Sequence, residues 1–473
     1  MRFASPQSRR NFLRLALASV ATSACGGAAS GSDASEQDVS GPVTGARAGA
    51  PLLVLGAGLS GLAAARRLKE RGFTNVVVLE ARDRIGGRIV TDRTTGTPFD
   101  MGAAWVHYAN DPTNPLLGMV KAAGLSPRVT NWDSLFAYDE VDGRITAAAL
   151  ASGETSIERA LKDGAQKVKA LKDPHVALEP ILAPLLAARF AGASSERLLA
   201  FLRAYYLENE YAADLADLGA YELVTVEAST TKEHDYLVGG YDRLLASLAD
   251  GLDVRLGTVV HRVRHHVGGV TVETSRGAFS ASKVIVTLPV GVLRAGGVEF
   301  EPALPTAKQD ALADIGVGDF EKVVLLFDEP FWPKSPHAFG YAAATADVAP
   351  LWLNVQAVAG APALVAMLSG HAARAASAAS DEDLTARTMA QVRAMFGDAS
   401  PAPRSVLRTR WHDDPFARGA YSFPGPHALD TAIRALAAPV EGRLLFAGEA
   451  THVDWYSFAH GAYLSGVRAA NEV

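Results

Sequence analysis

Three glycines, Gly56, Gly58 and Gly61, stand in G-x-G-x-x-G spacing, and a carboxylate, Glu80, follows them by the roughly 20 residues that suit a nucleotide ribose. These residue types in this order have a specific chemistry. Gly56 lets the chain turn, Gly58 lets the backbone approach a pyrophosphate, and Gly61 lets a helix pack close to a strand. Glu80 would accept hydrogen bonds from a ribose diol and repel a 2′-phosphate. Beyond it, Arg82 and the turn Gly86-Gly87-Arg88 carry cations within reach of the same pyrophosphate. Much further along, Lys322 opens a strongly apolar run, where an ammonium without a partner is costly.

Positioning the glycines and Glu80 requires a strand, a tight turn, a helix and a second strand. The apolar run Leu52 to Leu55 is too short for a helix, the stretch after Gly61 is rich in Ala, Leu and Arg at helical spacing, and Val76 to Leu79 reads as a strand ending at Glu80. The phosphates would sit on the helix N-terminus, where open N–H groups and the helix dipole favour anions. Glycines alone do not separate NAD from FAD. No second G-x-G-x-x-G in a strand–helix setting is present, so no separate nicotinamide site is expected and the reducing equivalents should come from the substrate.

The segments V-L-G-A-G-L-S-G-L and L-E-A-R-D-R-I-G-G-R resemble the FAD fingerprint of the flavin amine oxidases, a family that spans monoamine oxidases, polyamine oxidases, flavin histone-lysine demethylases and L-amino-acid oxidases. The likeness extends over most of 51–473. It implies an α/β fold: a Rossmann-like FAD-binding domain of the two-dinucleotide-binding-domain flavoprotein type, with an α+β substrate domain. The FAD-binding part is expected from 51–105, 225–300 and 405–473, and the substrate part from 106–224 and 301–404.

Further motifs carry implied roles. The segment from Phe99 to His107 resembles D-x-G-A-x-W-[IV]-x, which brings Gly102, Ala103 and Trp105 against the flavin and places His107 in the substrate tunnel. Val260 matches the valine whose backbone meets the adenine. Gly316 to Phe327 resembles G-x-G-x-x-x-K-V-x-L-x-F, making Lys322 the lysine that holds a water against flavin N5. Trp411 to Ser422 resembles W-x-x-D-P-x-x-x-G-[SAC]-Y-[ST]. Where monoamine oxidases carry a cysteine bonded to the flavin, this chain has Ala420, so non-covalent FAD is implied. Gly448, Glu449 and Ala459 fall in the second FAD fingerprint, and Tyr421 and Phe458 match the two facing aromatics of the amine cage. The implied reaction is oxidation of a polyamine-like primary or secondary amine to an imine that hydrolyses, with O2 reduced to H2O2. An L-amino-acid oxidase is the rival, but no cation for a substrate carboxylate is identified. An exported flavoprotein that binds a ligand or passes electrons without turnover is the other alternative.

Composition bounds these expectations. A chain of 473 residues exceeds one ordinary core, and 49% hydrophobic with 20% charged residues describes a globular protein with much to bury. A net charge of −6 leaves no footprint for nucleic acid and mildly favours cationic ligands. The single cysteine, Cys25, excludes an internal disulfide framework and a thiolate metal cluster, and the neighbours His265 and His266 would leave opposite faces of a strand, so no metal site is expected. Residues 153–203 read as helical, and Glu208 and Glu210 on the segment that follows are candidates for holding distal ammonium groups.

At the N-terminus, Ser8-Arg9-Arg10-Asn11-Phe12-Leu13-Arg14 precedes a modest apolar segment, Leu15 to Ala24. The segment is well under the ~20 residues a spanning helix needs, so 1–25 is expected to be a twin-arginine export signal and 26–50 a disordered linker, placing the enzyme in the periplasm or another extracytoplasmic space. That route carries folded proteins and so suits an enzyme that takes up its flavin in the cytoplasm. Cys25 stands where a lipoprotein signal would be acylated, leaving a lipid anchor and simple cleavage after Ala24 both open.

Overall fold

The computed structural model describes residues 51–473 apart from 174, 226–233 and 429. The expected export signal, the linker and Cys25 lie outside the described residues, as do 226–233 of the expected cofactor segment.

Two sheets organise the molecule. The first has five parallel strands in the order Asp253–Arg255, Val76–Leu79, Leu52–Leu55, Lys283–Val286 and Leu444–Phe446. All four residues of Leu52–Leu55 are buried, because a parallel strand covered on both faces is apolar throughout. Its side chains alternate. Leu52 and Val54 join the core under the helices Leu59–Glu70 and Ala459–Asn471. Leu53 and Leu55 join a second core with the four-stranded sheet that contains Val260–His266 and Gly269–Thr274. The two helices approach backbone to backbone: a Cβ on Gly466 would lie 2.1 Å from the Ser60 carbonyl oxygen. His265 is buried and His266 exposed, as the strand period demands.

The second sheet has seven strands, ordered Ser405–Arg408, Phe320–Leu326, Ala363–Ser369, Leu351–Asn354, Ala338–Ala342, Leu135–Asp139 and Gly143–Arg144. The helices Ala147–Lys169, Glu179–Ala187 and Ala193–Arg203 cover one face, and Gly370–Ala378 with Asp381–Phe396 cover the other. Val324 and Leu326 face the first group, Val323 and Leu325 the second.

Two crossings between the sheets differ from the expected boundaries. Ser405–Arg408 pairs with Val323–Leu326 and so belongs to the seven-stranded sheet. Residues 301–314 stay with the parallel sheet: Ala311 and Leu312 of the helix Thr306–Asp314 fill its core, and buried Lys308 donates to the carbonyls of Ala435, Leu436 and Ala438 at the end of the helix Asp430–Ala437. Long-range core filling, which no local pattern announces, sets both boundaries.

Candidate active site

A cavity of about 570 Å³ runs between the two sheets, and of the residues expected to bind cofactor or substrate all but Gly61 and Glu208 line it. Gly61 acts behind the wall: its Cβ would fall 1.9 Å from the Gly56 carbonyl oxygen, so only glycine lets the helix Leu59–Glu70 start this close to the strand.

The nucleotide end fits FAD on local grounds. Gly56 has φ +106°, where a side chain would be strained and would also meet the Thr287 hydroxyl at 2.7 Å. Gly58 is the N-cap of a twelve-residue helix and makes no side-chain cap. A Cβ there would meet nothing nearer than 4.0 Å, so it would project into the open cradle that the phosphates need. Glu80 is buried, with one oxygen accepting from the Ala57 N–H at 2.7 Å and the other from the Arg82 N–H at 2.9 Å. Those bonds fix the carboxylate at the strand end and leave lone pairs for a ribose. Both cations line the cavity, and each also has a protein partner. Arg82 turns its guanidinium to Asp414 at 2.8 Å, and Arg88 pairs with Glu449 at 3.0 Å while donating to the Ala420 carbonyl at 2.6 Å. Each cation bridges the fingerprint to the C-terminal third while still lining the cavity.

Toward the other end the two sheets meet at Lys322. Its Nζ donates to the carbonyls of Asp100 at 2.9 Å and Gly102 at 2.6 Å and lies 5.4 Å above the Trp105 ring. Burial lowers its pKa to about 8, against the pull of the Asp100 carboxylate. Gly102 is itself pressed on Arg88, whose carbonyl oxygen would be 1.8 Å from a Cβ. The Trp411 indole donates to the Met101 carbonyl at 3.1 Å. Tyr421 donates its hydroxyl to the Asn209 carbonyl at 3.0 Å and stands beside Phe320. Phe458 caps the helix Ala459–Asn471, packs edge-on to His107 at 5.0 Å and stacks on His460 at 5.3 Å.

His107 has a partner that sequence reasoning missed. Its Nδ1 lies 2.8 Å from Nδ1 of His234, so one imidazole donates and the other accepts. Burial lowers the pKa of His107 to about 4, with Glu210 pulling it back up. His107 is therefore neutral near pH 7. The two histidines are register partners in antiparallel strands, a pairing that a single sequence does not display. A π-helical turn, Ala204–Glu208, brings Tyr205, Asn209 and Glu210 to the cavity, a distortion that often marks functional sites. It splits the two candidate acids: Glu210 lines the cavity, whereas Glu208 turns to Arg203 at 2.9 Å.

Sheet order, glycine cradle and buried carboxylate together define a Rossmann-type dinucleotide-binding protein. Residues 59–473 match the family model for flavin containing amine oxidoreductase, and the chain belongs to that family: it is an FAD enzyme that oxidises amines. It is 36% identical over 438 residues to polyamine oxidase 4 of Oryza sativa subsp. japonica, covering 89% of this chain and 88% of that protein. It is 32% identical over 439 residues to lysine-specific histone demethylase 1 homolog 2 of Arabidopsis thaliana, covering 89% of this chain but 58% of the relative. Among solved structures, wild-type putrescine oxidase bound to putrescine superposes with a TM-score of 0.72 at 21% identity, over 89% of this chain and 98% of that one. This last likeness is one of fold.

Proposed function

We propose that the protein is a polyamine-type oxidase with non-covalent FAD, exported to act on amines outside the cytoplasm. The observation that carries this reading is the far end of the cavity, where Lys322, Tyr421, Phe458 and His107 converge beside the flavin cradle. An amine held between Tyr421 and Phe458 gives up a hydride from its α-carbon and a proton from nitrogen, and water splits the resulting imine into a carbonyl compound and an amine or ammonia. When bound, the flavin accepts the hydride equivalent and passes two electrons and two protons to O2, forming H2O2.

The chain's own residues set the conditions for this step. The aromatic walls disfavour an ammonium and so favour the neutral amine that hydride departure needs. Neutral His107 is able to accept a hydrogen bond from such an amine. Glu210 supplies the negative charge that would hold a second, distal ammonium. Lys322, held by two carbonyls, handles protons at the flavin face. Ala420 replaces the cysteine of covalent flavin attachment, and the FAD would be held by Gly56, Gly58, Glu80, Val260 and Glu449 together with the Arg88 and Trp411 segments. The five-stranded sheet and its helices form the cofactor part in this reading, and the seven-stranded sheet with its helices forms the substrate part.

The test is a panel of spermine, spermidine, putrescine, benzylamine and L-amino acids, with peroxide release measured on the purified protein. Peroxide from the polyamines supports the proposal. Turnover confined to L-amino acids, or flavin reduction without peroxide, would replace it with one of the two alternatives.

A further inference from the structure

Glu321 is buried to 1% exposure one residue before Lys322, on the opposite side of the same strand. Its carboxylate meets only donors. One oxygen accepts from the Thr409 hydroxyl and the other from the His412 N–H at 3.0 Å, and the Trp411 N–H also bonds to the carboxylate. Thr409 in turn accepts the Lys322 N–H at 2.8 Å, and the His412 ring bonds Asp319 at 2.8 Å. The turn 409–412 is thus tied to the strand 319–322 by backbone and side chain together.

What this turn carries explains why a carboxyl group is buried beneath it. Trp411 lines the cavity and reaches the Met101 carbonyl, next to the Gly102 carbonyl that Lys322 holds. The Trp411 carbonyl accepts the Gly419 N–H at 2.9 Å, and Gly318 exchanges bonds with Ala420 and Tyr421 at 2.7 and 2.8 Å. Displacement of the turn would therefore move the indole and the Ala420–Tyr421 wall together.

We propose that Glu321 is a positioning residue of the flavin site, whose carboxylate gathers the donors of the Thr409–His412 turn and thereby sets the placement of Trp411 and Tyr421 against the cofactor. Burial raises the pKa of Glu321 to about 7, while the three converging donors favour the ionised form, which offers acceptors alone. An amide of the same shape would set an NH2 against one of them, leaving a buried donor unsatisfied.

The proposal rests on the amine-oxidase reading only for its kinetic arm. The variants are Glu321→Gln and Thr409→Val. The readouts are the visible absorption and circular dichroism of bound FAD, the FAD dissociation constant, the anaerobic rate of flavin reduction by the best amine, and the unfolding temperature. Glu321→Gln is expected to change the flavin dichroism, weaken FAD and slow reduction by about 10²-fold, the cost of a small misplacement transmitted from a distance. Thr409→Val should move the same readouts in the same direction by less. If Glu321→Gln does not fold, Thr409→Val decides alone. Wild-type dichroism, FAD affinity and reduction rate in the soluble variants would overturn the proposal, and so would a fall in unfolding temperature with the flavin signals unchanged. Should no amine reduce the wild-type flavin, the functional reading fails, and the dichroism and FAD affinity still decide the role of Glu321.

Discussion

The Lys322 ammonium donates to the Gly102 carbonyl at 2.6 Å across 220 residues of sequence. That bond ties the seven-stranded sheet to a segment pressed against the Arg88 turn, so the lysine reaches the cavity from that sheet. Because its other bond is also to a backbone carbonyl, no carboxylate neutralises it by contact, and its protons remain exchangeable at the cavity wall.

Lys322→Met should therefore fold and bind FAD, since methionine keeps the volume, while losing a proton-handling group. Removal of such a group costs about 10²–10⁴-fold in rate. The check is anaerobic bleaching of the flavin by the best amine, with reoxidation by O2 followed separately. Both half-reactions within a few-fold of wild type would reduce Lys322 to a structural residue.

The same lysine should make stability depend on pH. Its folded pKa, about 8, lies below its ordinary value of 10.5, so the unfolded chain holds a proton that the folded one releases between those limits. Stability from this group rises as pH goes from 8 toward 10.5, and burying the charge below pH 8 costs up to about 3 kcal/mol. Compared at pH 7 and pH 9.5, the unfolding temperature of wild type minus that of Lys322→Met should shift in favour of wild type at the higher pH. No shift would mean that the lysine is solvated in the folded protein.

Two glycine substitutions should separate folding from cofactor binding. Gly61→Ala drives a methyl group into the Gly56 carbonyl and should cost about 1–3 kcal/mol or more in the protein without flavin. Gly58→Ala has space for its methyl group and should leave that protein stable while the cradle loses FAD. Calorimetry of the flavin-free variants, beside FAD titration, would distinguish them; equal behaviour of the two would contradict the division of labour.

Ala420 implies that denaturation releases the flavin. After acid or heat treatment and filtration the yellow colour should pass into the filtrate. Flavin retained on the precipitate would show a covalent bond elsewhere.

Export is tested by replacing Arg9 and Arg10 with lysine. Active, FAD-loaded precursor should then accumulate in the cytoplasm, and unchanged export would point to another route. Cys25→Ala reports on anchoring separately, through loss or retention of membrane association.

The cofactor end was legible in the sequence because its chemistry depends on backbone freedom within one local strand–helix–strand unit: Gly56, Gly58 and Glu80 need no distant partner to be recognised. The opposite end was legible only where a motif named it. His234 lies 127 residues from His107, and Thr409 lies 88 residues from Glu321. Neither pairing has a local signature. Arg82 shows the same limit: its place beside the fingerprint is local, but its partner Asp414 comes from 332 residues away.

The contact between Ser60 and Ser465 joins positions 405 residues apart, in the two helices that cover one face of the parallel sheet. A ribosome making this chain releases the glycine cradle early, but the helix and edge strand that complete it emerge only after the whole seven-stranded sheet has been synthesised. Cofactor loading thus waits for the C-terminal segment, and a nascent chain truncated before Leu444 would carry the full glycine fingerprint yet have no finished pocket in which to keep a flavin.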